Sequence, residues 1–314
     1  MAAGDDGLQH SRVMISDAIV STRSRALGAA IEPITGQVYC SPECHRAYEA
    51  LGFSPSPAEM KGVAMPDGPA YFCSRGSVLG QVPGELVAAT FGVFNPEVVV
   101  PLVAMGWGLT TAPQICAART VGAVGQLTRI LGATPDGLAR ATELLQQAND
   151  PLRPEGRPLY AGLLGLGLPG DPMGDMWRLA DRLREFRGDA HIAAWSGAGF
   201  DATEIGLLSE LYWGLPLRSY IRTRAWSDSD LDVAEARLEE RGLVRDGGFT
   251  PEGRDARENV ERVTDSLCRP IIEGLGDDFD ELIGIVAPWS QQVQAAGGYP
   301  ASGPHDLAGL ANST

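Results

Sequence analysis

Lysine is nearly missing from this chain. Lys61 is the single example in 314 residues, and the other 24 of its 25 cationic side chains are arginines. Forty Asp and Glu outnumber them and leave a formal net charge of −15. Such an excess repels polyphosphates unless a local basic face offsets it, which argues against nucleic acid as a partner and favours a cationic small molecule or a basic protein. The imbalance grows along the chain, from 9 basic against 13 acidic residues in 1–150 (net −4) to 16 against 27 in 151–314 (net −11). Long apolar runs are missing too. The nearest approach, Leu159–Leu168, is interrupted by glycines and falls short of the roughly 18 residues that span a bilayer, so no membrane segment is expected. The opening MAAGDDGLQH has no basic stretch followed by an apolar one, so we expect no secretory signal and a cytoplasmic location.

Five cysteines, an odd number, argue against a disulfide framework. Cys40, Cys44 and His45 could form half of a zinc site. No second Cys/His pair follows at finger spacing, so ordinary thiols at a helix start are the simpler reading. No phosphate-cradling glycine loop, dinucleotide fingerprint, nucleophile elbow or two-carboxylate metal motif occurs, and neither cofactor nor metal is expected.

What is present is helical periodicity. Apolar residues recur at three- and four-residue spacing in Ala112–Leu131, Thr134–Asn149, Gly174–Phe186, Asp201–Tyr212, Asp228–Arg241, Glu252–Ile272 and Asp277–Val293. Ser41-Pro42-Glu43, Thr134-Pro135-Asp136, Ser227 and Thr250-Pro251-Glu252 supply N-caps, three of them with proline at the first helical position. Strand signals are confined to Leu243–Thr250, two short runs around Asp246-Gly247-Gly248 that predict a β-hairpin. Helix, hairpin and long helix in that order predict a winged helix. Its reading helix carries Asp228, Asp230, Asp232, Glu235, Glu239 and Glu240 against Arg237 and Arg241, so phosphate contact would desolvate carboxylates beside like charge.

Part of this pattern has an echo upstream. Trp107, Thr134-Pro135-Asp136-Gly137 and Arg140 parallel Trp226, Thr250-Pro251-Glu252-Gly253 and Arg257, and Ser74-Arg75-Gly76 parallels Phe186-Arg187-Gly188. The expected fold class is therefore mainly α, with winged-helix-like units in a degenerate tandem duplication forming a pseudo-dimer, and a small β-hairpin wing. The expected organisation is a flexible 1–14, an N-terminal winged-helix-like half over 15–150, a C-terminal winged-helix half over 151–296 and a disordered 297–314.

Glu32-Pro33-Ile34, Tyr39 with Pro42-Glu43, Ala47 to Phe53, Tyr71-Phe72 with Arg75, Glu85 to Phe91, Gly156 to Tyr160, Arg187 to His191, and Arg241-Gly242-Leu243 through Gly253 carry a resemblance. Together they resemble an actinobacterial family of about 300 residues, commonly labelled helix-turn-helix for its C-terminal winged helix and poorly characterised in function. The resemblance implies a setting near specialised-metabolite genes. This chain departs from the family in having Thr35 where histidine is usual, Ala190 where glycine is usual, and cysteine at positions 40 and 44.

Among the four histidines, His10 and His305 lie near the chain ends, leaving His45 and His191. Asp189 and His191, at the expected start of a new helix, could form an acid/base pair; the alternative is a capping Asp beside a packed His. Tyr39, Glu43, Arg75 and Arg157 form a second candidate cluster, with Arg75 bridged to Glu43 or Glu32, or converging with Arg187 on an anionic group. Trp107 and other aromatics would supply pocket wall or core. The favoured function is a small-molecule tailoring enzyme on a repurposed winged-helix scaffold. It would perform cofactor-free, base-assisted displacement, elimination or cyclisation on an amine-bearing substrate, with Asp189, His191 and Glu43 catalytic and Arg75, Arg187, Arg157, Tyr39 and Trp107 binding substrate. The alternatives are a winged-helix transcription regulator and a non-catalytic partner subunit. A second subunit or a homodimer is a further possible partner.

Overall fold

The computed structural model describes residues 15–60 and 62–300; the expected flexible start (1–14), His10, His305 and residues 301–314 of the expected tail lie outside them. The described chain is mainly α. It opens with helix α1 (Asp17–Gly36), capped by Ser16, and α2 (Pro42–Glu49), where Ser41 accepts the Cys44 amide. A hairpin of β1 (Ala58–Met60) and β2 (Val63–Met65) follows. Next come α3 (Gly68–Gly76), α4 (Gly84–Phe91), α5 (Pro96–Trp107), α6 (Ala112–Leu131), α7 (Leu138–Asn149) and α8 (Pro158–Gly165). The longest helix is α9 (Pro172–Gly197), followed by α10 (Ala202–Tyr212), α11 (Asp228–Glu240), the hairpin β3 (Val244–Arg245) with β4 (Gly248–Phe249), α12 (Pro251–Leu267), α13 (Arg269–Leu275) and α14 (Phe279–Ala295). No single described helix is long and apolar enough to cross a membrane.

The apolar side chains gather in two clusters. The larger draws on α1 to α9, α13 and α14, and so takes residues from both sides of position 150. The smaller joins the end of α9 (Ala194, Trp195) to α10, α11, the wing and α12. One helix therefore runs through both cores. It can do so because α9 is buried nearly all round, charged residues included: Arg178, Asp181, Arg182, Glu185 and Asp189 are all buried. Each such charge requires an internal partner to offset its lost hydration. Arg119 of α6 and Asp181 of α9 meet at 2.9 Å, with Arg119 lying over the Trp177 ring.

Several boundaries differ from the sequence expectation, each for a local reason. The helix expected to stop at Phe186 continues eleven residues to Gly197, so Arg187 to His191 lies inside α9. A helical glycine costs only about 1 kcal/mol, and a Cβ at Gly188 would meet only ordinary contacts, Glu185 Oε2 at 3.4 Å and Arg75 Nη2 at 3.9 Å, so the position is a tolerated helical glycine and not a terminator. The helix expected over Glu252–Ile272 is two, broken at Cys268 ahead of Pro270, which lacks an amide hydrogen. Helix α7 begins at Leu138, after Gly137 in the left-handed region (φ 84°), not at the Thr134 cap. Thus the first Thr-Pro-acid-Gly run is a loop where the second caps α12, and no hairpin separates α6 from α7 as β3–β4 separates α11 from α12. The β1–β2 hairpin was not expected. Within the expected tail, residues 298–300 pack inward: Tyr299 is buried and its hydroxyl donates to Glu32 Oε1 at 2.7 Å.

Candidate functional site

Among α1, α9, α10 and α12, which also pack on one another, a cavity of about 310 Å3 opens between the larger core and the winged-helix module. Leu27, Ile31, Ile205, Ile221 and Ile272 give it apolar walls, and Arg75, Arg187, His191, Arg257 and Glu261 line it too. A second cavity, of about 530 Å3, lies toward the β1–β2 hairpin beside Tyr39, Tyr71 and Tyr299. Glu32, Arg75, Val93, Arg184, Tyr220 and Arg224 belong to both walls.

The shared wall is a charge network. Arg75 donates through Nε and Nη2 to the two oxygens of Glu185 (3.0 and 2.8 Å), a bidentate pair that also stacks the guanidinium over Phe91. Arg184 donates to Glu32 Oε2 at 2.8 Å and to Glu185 Oε1 at 2.8 Å. Burial works against ionisation of Glu185, yet the Arg75 and Arg184 charges outweigh it and hold the carboxyl well below its usual range. Across the first cavity, Arg187 is divided between Glu261 (3.1 Å) and Asp265 (3.0 Å), and Arg257 reaches Glu261 at 2.8 Å. Arg25 of α1 closes the same Asp265 from the other side at 2.7 Å.

His191 sits at this rim. Its Nδ1 lies 3.1 Å from Thr264 Oγ1 and 3.9 Å from Glu261, and Nε2 bonds none of the described residues. Burial pulls the imidazole down to about 4 despite Glu261, with Arg257 and Arg187 acting in the same direction, so the ring is neutral at pH 7.

Asp189 does not meet His191. Two residues apart on a continuous helix, they point to different faces. Asp189 Oδ2 instead accepts the Tyr160 amide at 3.0 Å at the start of α8, Oδ1 is buried without a hydrogen-bond partner among the described residues, and burial pushes the carboxyl up to about 7. The expected acid/base pair is thus not formed, because it presumed a helix boundary that α9 runs through.

The second expected cluster is likewise dispersed. Glu43 pairs with Arg129 at 2.7 Å and with Arg46 at 3.7 Å on the outer face of α2, lining neither cavity. Arg75 turns to Glu185, not to Glu43 or Glu32. Arg157 donates to the carbonyls of Phe186 (2.7 Å) and Leu267 (3.1 Å) and lies over the Phe186 ring. Trp107 donates to the Val82 carbonyl at 2.8 Å and packs on the larger core. Tyr39 lines the second cavity, its hydroxyl accepting from Arg119 at 3.2 Å. Of the eight residues, Arg75, Arg187, His191 and Tyr39 face the cavities. His45 Nε2 donates to the Tyr39 carbonyl (3.1 Å) while the Cys44 thiol points to the Arg119 carbonyl (3.6 Å); burial pushes both the Cys40 and Cys44 thiols up to about 12.

Glu185, Arg184, Tyr220 and Glu261 were not singled out by the sequence. A signal existed for two of them, since Asp181, Arg184, Glu185 and Gly188 follow helical spacing along one face of α9. Tyr220 and Glu261 become site residues only through tertiary contact.

The reading head is equally specific in its chemistry. Arg218 is taken by Asp232 (2.6 Å) and Glu235 (2.6 Å), Arg222 by Asp228 (2.7 Å), Arg237 by Asp201 and Glu204, and Arg241 by Glu204 (3.2 Å). The exposed face of α11 presents Asp228, Asp232, Glu239 and Glu240. A helix, a hairpin and a second helix sharing one small core, attached to a larger helical body, define a winged-helix protein with an interior cavity. A model of a helix-turn-helix family matches residues 24–300, and the chain belongs to that family. No curated protein and no solved structure matches it.

Proposed function

We propose that this protein holds a compact organic molecule in the cavity between its larger core and its winged helix, which serves as a wall of that cavity instead of a reader of DNA. The observation that carries the reading is the shared charged wall around Arg75, Glu185, Arg184 and Glu32, walled by apolar side chains and bordered by a neutral His191. Such a set binds and orients a polar group in a low-dielectric space, where each charge acts strongly. As an enzyme it would be a cofactor-free catalyst of base-assisted displacement, elimination or cyclisation on an amine-bearing metabolite. Of the three residues first considered for proton transfer, His191 is the one that faces the cavity, so the base role falls to its Nε2 and the anion-stabilising role to the arginines.

Family membership favours a second reading, a transcription regulator. Against it stands the pairing of Arg218, Arg222, Arg237 and Arg241 around α11 with carboxylates, which leaves few cations there to displace counterions from DNA. Fluorescence anisotropy with promoter duplexes from the neighbouring genes separates the two. We expect no salt-dependent nanomolar binding, and finding it would restore the regulator. In a metabolite screen followed by thermal denaturation, a stabilising small molecule should lose its effect in His191→Ala or Arg75→Gln variants that still fold; unchanged stabilisation in both would remove this cavity from consideration.

A further inference from the structure

Five arginines line the two cavities: Arg75, Arg184, Arg187, Arg224 and Arg257. Four are committed to carboxylates, as described above. Arg224 has none among the described residues. Its Nη2 donates to the Tyr220 hydroxyl, and two rings lie close to its central carbon, with the Phe94 centroid at 4.6 Å and the Tyr220 centroid at 4.7 Å. Among the described residues no hydrogen bond engages its Nε or Nη1, and Arg224 lines both cavities.

The position is also built to be rigid. The carbonyl of Arg224 accepts the Asn95 amide at 3.0 Å, and that of Ala225, in the left-handed region (φ 62°), accepts Asn95 Nδ2 at 3.1 Å. Trp226 then donates to the Val93 carbonyl at 2.9 Å, so the 220–226 segment is stitched to the loop before α5. A cation held in place without a counter-charge has its ordering cost met before a ligand arrives.

We infer that Arg224 is the recognition residue for a carboxylate on the ligand, accepted edge-on in the plane of its guanidinium. This rests on the cavity reading proposed above and names its ligand class: a compact monocarboxylate with an apolar body. A planar carboxylate matches the guanidinium fork bidentately. A phosphate dianion fits less well, because Glu32 and Glu185 share the same wall and Glu59 stands at the second cavity. The apolar side chains of the first cavity, Ile205 and Ile221 among them, would cover the remainder of the ligand.

Calorimetric titration of the full chain with 2-naphthoate, its neutral isostere 2-naphthamide and 2-naphthyl phosphate tests this. In the wild type the carboxylate should bind at least tenfold tighter than the amide and tighter than the phosphate. Arg224→Gln should erase the preference while leaving amide affinity within twofold, and Arg224→Lys, which keeps the charge and loses the fork, should fall between. Should Arg224→Gln fail to fold, an undiminished carboxylate preference in Arg224→Lys overturns the inference. So does a preference that survives in folded Arg224→Gln, or a phosphate that outranks the carboxylate. If the amide binds without any carboxylate preference, only the Arg224 inference falls; if neither naphthyl probe binds, the cavity reading falls with it.

Discussion

At the scale of single residues, the buried titratable groups give the sharpest expectations. Asp189 holds its proton more tightly in the folded chain, with its value moved from 3.8 to about 7, whereas an unfolded aspartate releases it near 3.8. Its contribution to stability is therefore complete below pH 3.8 and is lost as pH climbs toward 7, by at most about 4 kcal/mol at roughly 1.4 kcal/mol per unit. Asp189→Asn should flatten this loss, so that urea denaturation shows the variant gaining on the wild type between pH 5 and pH 8. His191 runs the other way. Folding favours its neutral form, so its contribution is full above 6.5 and is lost as pH falls toward 4. An NMR titration of the ring should find its midpoint near pH 4; an ordinary midpoint near 6.5 would show that the imidazole is solvated. Individual residue identities drew attention to Arg75, Arg187 and His191 from the sequence, but not to their partners. Arg75 meets Glu185 across 110 positions of chain, a pairing no local pattern encodes.

At the scale of elements, the close crossings depend on particular glycines and on buried pairs. A Cβ on Gly253 would lie 1.8 Å from the Leu243 carbonyl, because the first turn of α12 packs directly on the backbone leading into the wing. Backbone cannot be displaced as a flexible side chain can, so Gly253→Ala should cost more than 3 kcal/mol and unseat the hairpin, measurable by chemical denaturation and by loss of amide protection in β3 and β4. Between α6 and α9, Asp181→Ala would leave the Arg119 guanidinium buried with a tyrosine hydroxyl and no counter-charge. The expected loss is about 3–5 kcal/mol, and replacing both partners should cost less than removing one. Helix existence was legible from apolar spacing, as at Ala112–Leu131, and from spacing with the Ser227 cap at the helix expected over Asp228–Arg241 and found over Asp228–Glu240. Helix ends were less so. Gly188 carries the local mark of a terminator, and what overrides it is the packing of α9 against both cores, a tertiary effect.

For the whole molecule, the continuity of α9 through both cores predicts coupled unfolding. Leu238→Ala removes a fully buried side chain from the smaller core and should lower stability by about 2–5 kcal/mol. Because α9 and the Asn95 and Trp226 stitches tie that core to the larger one, circular dichroism and tryptophan fluorescence should report one coincident transition in the variant; two separated transitions would show that the winged-helix module melts alone.

The sequence by itself determined the mainly α class, the hairpin between two helices near the C-terminus, and the acidic character of α11, since propensity, capping and charge are properties of short segments. Tertiary structure alone decided which charges face one another, where the cavities lie, and that Arg224 stands there without a carboxylate partner among the described residues. Those are outcomes of long-range packing, in which a guanidinium's partner is set by the element that happens to lie across from it, and no segment contains that information.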